Sequence, residues 1–243
     1  MNKTIAEKLK QLASQYNTKT FIDADPIRFP HRFSKQTDIE ISAFLSAWIA
    51  YGRREMIIAK LEWLHKMIGE SPTDWIQSKG YQQLPFPSDG NRGTFYRFYT
   101  FNDLRQLCER LHFIYEHEDT MEKALLKQSE RDLLGKVQQS FEGVCGIPDR
   151  TSKSACKRLA MFLRWMVRQD GIVDFGLWKS FSPKDLIVPL DTHVFQMAKK
   201  LALTSRNTAD KTTALEITQQ LRMVFPDDPC LGDFALFGYG IDS

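Results

Sequence analysis

The sequence has no cysteines spaced to hold a metal and no apolar run of membrane length. Its four cysteines, Cys108, Cys145, Cys156 and Cys230, lie far apart. Neither a C-x-x-C pair nor a four-cysteine cluster is present, which argues against zinc and against an iron–sulfur cluster. No stretch approaches the roughly eighteen apolar residues that a spanning helix needs, so no membrane partner is expected. Met1-Asn2-Lys3-Thr4-Ile5 leads into a charged segment, with no apolar stretch and cleavage site. No signal peptide is therefore expected; the expected compartment is cytoplasmic and the thiols reduced. Internal repeats, low-complexity tracts and charged tails are missing too, and no segment alternates convincingly with the period of a strand.

What is present reads as helix. With 243 residues, 42% of them hydrophobic and 26% charged, the chain has the composition of a soluble globular protein that can bury a substantial core. Thr37-Asp38-Ile39-Glu40 has the pattern of a capping box, and Ile41, Phe44, Leu45, Trp48 and Ile49 follow on one face. Helical periodicity resumes from Glu55 to Met67, and Ser71-Pro72 opens a short helix with proline at its first position. Residues 80–101 are irregular; helices follow at about 102–116, 120–128 and 130–143. A break at Gly146-Ile147-Pro148-Asp149 precedes a helix over roughly 152–169. Later helices begin at Asp191, at a second capping box (Thr213 to Glu216) and at Asp228-Pro229. The expectation is an all-α chain of two helical lobes interleaved in sequence, residues 1–35 with 146–243 and residues 36–145.

Net charge is only +3, so the distribution of charge says more than its sum. From 150 to 168 stand Arg150, Lys153, Lys157, Arg158, Arg164 and Arg168, with no acidic residue among them. At about 100° per residue, Lys153, Arg164 and Arg168 fall within about 40° of Lys157, opposite the apolar residues. Two readings fit: a solvated face, or a stripe that neutralises nucleic-acid phosphates. The missing acids favour the second, because solvated helices usually interleave both signs.

Asp191, in Pro189-Leu190-Asp191-Thr192-His193-Val194, stands where an N-cap belongs. Capping and catalysis are compatible, because amides that donate to a carboxylate keep it ionised. His193 could titrate or be structural. Phe86, Phe95, Tyr96, Phe98, Tyr99 and Phe101, with Phe234 and Phe237 of the last helix, could stack an extruded base or pack a core.

Together these segments resemble the helix–hairpin–helix DNA glycosylase superfamily. Pro189 to Val194 is similar to its Pro-x-Asp-x-His/Arg-Val motif, which carries the essential aspartate. Ala155-Cys156-Lys157 resembles the Ala-x-Lys of the archaeal 8-oxoguanine glycosylase branch, where a lysine nucleophile precedes the aspartate by a similarly long interval (here 34 residues). Ala43 to Trp48, followed by Tyr51-Gly52-Arg53-Arg54, stands at the place of the Leu-Ser-Gln-Gln-Thr helix and turn, and Phe95-Tyr96-Arg97 at a tyrosine–arginine helix start. Ser154 to Leu159 and Asp233 to Phe237 also resemble a bacterial family distantly related to these enzymes. The glycine-rich hairpin Leu-Pro-Gly-Val-Gly is replaced here by Cys145 to Ser152, and the Ser-Gln-Gln element and cluster cysteines are absent.

The resemblance implies a two-lobed DNA-glycosylase-like fold with a cleft between lobes, and base-excision repair with associated lyase activity on duplex DNA containing a lesion. No cofactor or metal is implied. Lys157 would attack the anomeric carbon of a flipped nucleotide, and Asp191 would stabilise the oxocarbenium-like charge. At an ordinary pKa only about one lysine in 2,500 is neutral at pH 7, so the site would have to lower that pKa by roughly 2–3 units, with Lys153 and Arg158 supplying cations. Lys153, Arg158, Arg164, Arg168, Arg53, Arg54 and Arg97 would hold phosphates; Tyr96, Phe98, Phe234 and Phe237 are candidates for the base pocket. Two alternatives are a nucleic-acid-binding protein that kept the scaffold without the chemistry, and a helical interaction module that meets an acidic partner.

Overall fold

The computed structural model describes residues 3–85 and 93–242. Its helices are α1 (Lys3–Tyr16), α2 (Thr20–Ala24), α3 (Gln36–Trp48), α4 (Arg54–Ile68) and α5 (Pro72–Gln77). Two short strands follow, β1 (Thr94–Tyr96) and β2 (Tyr99–Thr100), then α6 (Phe101–His117), α7 (Met121–Leu126) and α8 (Leu133–Ser140). The chain continues through α9 (Lys157–Val167), α10 (Thr192–Lys200), α11 (Lys211–Arg222) and α12 (Leu231–Asp242). The fold is mostly helical. No helix among the described residues is long and apolar enough to cross a membrane.

The chain divides into two compact units, each drawn from separated stretches. The first comprises residues 1–24, 132–134 and 151–243; the second comprises 25–131 and 135–150.

In the first unit, α1 packs on α12 and α12 on α10. Leu9, Leu12 and Ala13 of α1 meet Val194, Met197 and Ala198 of α10, Ala214, Ile217 and Leu221 of α11, and Ala235 and Leu236 of α12. These apolar residues recur at three- and four-residue intervals, so each helix buries one stripe. Close approach at α12 depends on glycine. A Cβ on Gly238 would stand 2.1 Å from the Tyr16 ring, and one on Gly240 would stand 1.9 Å from Nε2 of His193.

In the second unit α3 is buried from Asp38 to Trp48. Phe44 stacks on Phe141 with ring centroids 4.0 Å apart, and Trp48 on Tyr99 at the same distance. The expected capping box at Thr37 is not made: α3 starts at Gln36, after Lys35, without a side-chain cap. Asp38 instead accepts a 2.7 Å hydrogen bond from the Thr73 amide at the start of α5. Glu40, fully buried, accepts from the Met121 amide at the start of α7 (2.9 Å) and from the Tyr115 hydroxyl (2.8 Å). Burial inside the unit turns both carboxylates toward the free amides of other helices, which need acceptors as much as their own helix does.

Three further expectations are corrected. The cap of α11 is Asp210, whose Oδ1 accepts from the Thr213 amide at 2.9 Å, so that helix begins three residues before the Thr213 box. β1 and β2 form an antiparallel hairpin (Tyr96 opposite Tyr99) in a stretch read as irregular. The basic helix begins at Lys157 rather than near 152, because Ser154 bridges to Asp210 and the Lys211 amide donates to the Lys153 carbonyl (2.9 Å). Lys153 is therefore in extended chain and shares no helical face with Lys157.

Candidate active site

The α9 helix opens after Cys156, whose backbone is left-handed (φ 51°) and whose amide donates to Ser154 Oγ at 3.1 Å. This turn makes Lys157 the first helical residue, half-buried, with Arg158 beside it, also half-buried. Two turns along, the cationic stripe departs from its expected role. Arg164 and Arg168 are buried, at 3% and 2% exposure. Arg164 pairs through Nε with Asp174 (3.3 Å) and through Nη1 with Asp233. Arg168 pairs with Asp174 (2.9 Å), Asp228 (2.7 Å) and Asp170. These two arginines are structural: a buried guanidinium needs carboxylates around it, and all four lie beyond residue 168. The expected exposed stripe is thus corrected. Arg150 is exposed and paired with Glu130 at 2.7 Å, within the second unit.

Asp191 caps α10 as expected. Its Oδ1 accepts from the Val194 amide at 2.8 Å, and the side chain is half-buried. His193, one residue into α10, is exposed.

Asp233 stands in the first turn of α12 and pairs with Arg164. Its side chain keeps 13% of its exposure. Burial pushes its carboxyl up to about 6; the negative charge of Asp191 acts in the same direction, while the cations of Arg164 and Lys157 oppose it. Within the first unit, Arg164 is thus paired with Asp233, and the charges of Lys157 and Asp191 both act on that carboxyl, in opposite directions. Asp233 was not among the residues singled out by pattern, although it opens the Asp233 to Phe237 segment that carries part of the resemblance.

The aromatic candidates separate by burial. Phe234 is fully buried, edge-on to Phe21 at 5.0 Å, with the Arg164 guanidinium 4.5 Å from its centroid. It is core, and no base can reach it. Phe237 is half-buried and packs edge-on against Phe21 (5.3 Å) and Tyr16 (6.1 Å). In the second unit Tyr96 is 4% exposed and donates its hydroxyl to the Tyr51 carbonyl at 2.7 Å, so its expected place in a base pocket is corrected to a packing role. Phe95 and Tyr99 are likewise buried. Phe98 is 55% exposed, and Arg53, Arg54 and Arg97 are exposed as well. Phe86 lies outside the described residues.

A second pair of groups looks catalytic by type and is structural by place. Ser42 Oγ and His65 Nε2 are 2.7 Å apart, and His65 Nδ1 is 2.9 Å from the Leu61 carbonyl. Both side chains are buried, and burial pushes the imidazole down to about 4, so it is neutral. The geometry assigns the proton to Nδ1, with Ser42 donating to Nε2. No substrate can reach this hydroxyl. Among the described residues no group of three His, Cys, Asp or Glu side chains is placed to hold a metal.

Neither the curated proteins nor the solved structures contain a match to this chain. Residues 25–242, which take in Lys157, Asp191 and Asp233, match the family model described as "Protein of unknown function (DUF2400)", and the chain belongs to that family.

Proposed function

We propose that this protein is a DNA N-glycosylase with associated lyase activity, acting on a damaged or modified base in duplex DNA. The observation that carries the reading is the placing of Lys157 as the first residue of α9 and of Asp191 as the cap of α10, and the charges of both act on Asp233. In this reading the Lys157 amine forms the bond to the anomeric carbon as the bond to the base breaks. The electron pair leaves with the base, which then takes up a proton, and ring opening gives the protein–DNA imine. Asp191, held by the Val194 amide, stabilises the cationic sugar. Elimination of the 3′ phosphate nicks the strand. The reading brings with it the two-lobed, clefted glycosylase architecture and a base-excision role. With Arg164 and Arg168 consumed by carboxylates, phosphate contacts fall to Lys153 and Arg158 in the first unit and to the exposed arginines of the second.

A second reading, a nucleic-acid-binding protein without the chemistry, is favoured by the segment that stands in place of the glycine-rich hairpin. There the Cys145 carbonyl accepts from Trp48 Nε1 at 2.8 Å, and a Cβ on Gly146 would stand 1.9 Å from the Tyr99 hydroxyl. Core packing has taken up backbone that such a hairpin would offer to phosphate.

Strand nicking of oligonucleotides bearing oxidised, deaminated or abasic sites tests the first reading. The wild-type protein is expected to nick at least one. Asp191→Asn keeps a good cap, so stability should change by less than about 1 kcal/mol, while nicking should fall by orders of magnitude. No nicking across the panel, or equally small losses of stability and activity in the variant, would favour the binder.

A further inference from the structure

We propose that the Tyr51–Arg97–Phe98 cluster of the second unit is a stacking platform for an unpaired nucleobase, with Arg53 and Arg97 meeting the flanking phosphates. It rests on the nucleic-acid partner proposed above, though not on the glycosylase chemistry.

The two large rings are strongly exposed, Tyr51 at 47% and Phe98 at 55%. They meet edge-on, with centroids 5.5 Å apart. Neither is loosely attached. Phe98 rests on Tyr99 (4.4 Å), which is fully buried and stacks on Trp48 (4.0 Å). A continuous series of rings thus runs from the core of the unit to its surface. The Tyr51 carbonyl accepts from the Tyr96 hydroxyl at 2.7 Å, which ties the turn after α3 to the hairpin. The Arg97 guanidinium lies 4.8 Å from the Tyr51 ring centroid, within the range of a cation–π contact. A Cβ on Gly52 would stand 2.7 Å from Arg97 Nη1. Gly52, at φ 107°, makes room for that guanidinium.

The hairpin turn itself points to function. Arg97 and Phe98 are the two residues between the paired Tyr96 and Tyr99, and the first of them takes a left-handed backbone that favours glycine. Arg97 adopts φ 54°, in the left-handed region that side chains other than glycine rarely take. Stability alone would select a smaller pair and would not expose a phenyl ring. A strained turn that presents a rigid aromatic beside a cation is built for a partner.

The charge and shape of the cluster select that partner. Among the described residues neither Arg53 nor Arg97 is paired with a carboxylate. A flat ring beside a cation suits a base with its phosphate, because every nucleobase has a π-face and stacking tolerates any sequence. An acidic peptide would use the arginines and leave Phe98 idle. A second copy of this chain would use Phe98 and set arginine against arginine.

The test uses the full-length protein and an undamaged oligonucleotide with a central 2-aminopurine, whose fluorescence falls when it stacks. Binding to the single strand should quench it, and the fully paired duplex should show far less quenching. Phe98→Ala and Tyr51→Ala should each remove much of the quenching and weaken single-strand binding, by roughly five- to 150-fold, the effect of one base–aromatic stack. Phe98→Trp should restore both. Arg97→Gln should reduce the salt dependence of binding and leave residual quenching. Quenching and affinity unchanged in Phe98→Ala and Tyr51→Ala would overturn the platform. So would tight binding of poly-glutamate that needs only the arginines, or self-association that Phe98→Ala abolishes, without single-strand binding. Strand nicking without Phe98-dependent quenching would sink the platform alone; quenching without nicking would sink the glycosylase reading alone.

Discussion

Arg164 and Asp233 form a buried ion pair that joins α9 to α12, seven residues along the helix from Lys157, with the guanidinium also 3.3 Å from Asp174 and lying over Phe234. The pair holds the carboxylate on whose charge Lys157 and Asp191 both act.

Replacing Arg164 with methionine keeps much of its volume and leaves Asp174 and Asp233 without this cation. Loss of one partner of a buried pair costs about 3–5 kcal/mol, so urea unfolding should show a loss of that size. A surface arginine that binds phosphate would instead give a stability change within about 0.5 kcal/mol and reduced DNA binding. That second pattern would contradict the structural role.

Asp233 and His65 predict opposite pH dependences over nearly the same window. The Asp233 carboxyl is raised from 3.8 to about 6 in the folded protein. Its contribution is complete below pH 3.8 and is lost as pH rises through about 6. The His65 imidazole is lowered from 6.5 to about 4. Its contribution is complete above pH 6.5 and is lost as pH falls through about 4. Measured by urea unfolding, wild type should lose stability relative to Asp233→Asn between pH 4 and 7, by up to about 3 kcal/mol. Relative to His65→Gln, wild type should gain stability over the same range. Differences that do not vary with pH would contradict both assignments.

Much of the architecture was legible because helical periodicity and caps are local. The cap at Asp191 could be read from the proline-bounded loop before it and the apolar period after it, and the helix does begin at Thr192. What escaped was long-range. Thr37 and Glu40 match a capping box in sequence, yet Glu40 serves α7, and Asp38 between them serves α5, more than eighty and thirty residues away. The window from 150 to 168 held cations and no anions because the balancing carboxylates stand at 170, 174, 228 and 233. Local charge excess therefore read as a surface what folding makes a core. The β1–β2 hairpin escaped because strands of three and two residues are too short to show a period. Helical angles alone place Lys153 on the α9 face, and spacing carries no sign of its pairing with a segment near 210. Lys157 and Asp191 are proposed as site residues on their resemblance to a motif. Asp233, which relates them electrostatically, could be recognised only through the packing of α9, α10 and α12.

The central claim, that Lys157 is a nucleophile acting with Asp191, is tested most directly by borohydride reduction in the presence of oligonucleotides bearing oxidised, deaminated or abasic sites. The predicted result is a covalent protein–DNA adduct mapped by peptide analysis to Lys157, absent from Lys157→Ala although that variant still binds DNA. No adduct from the wild-type protein across the panel, or an adduct mapped to Lys153 in its extended segment, would contradict it.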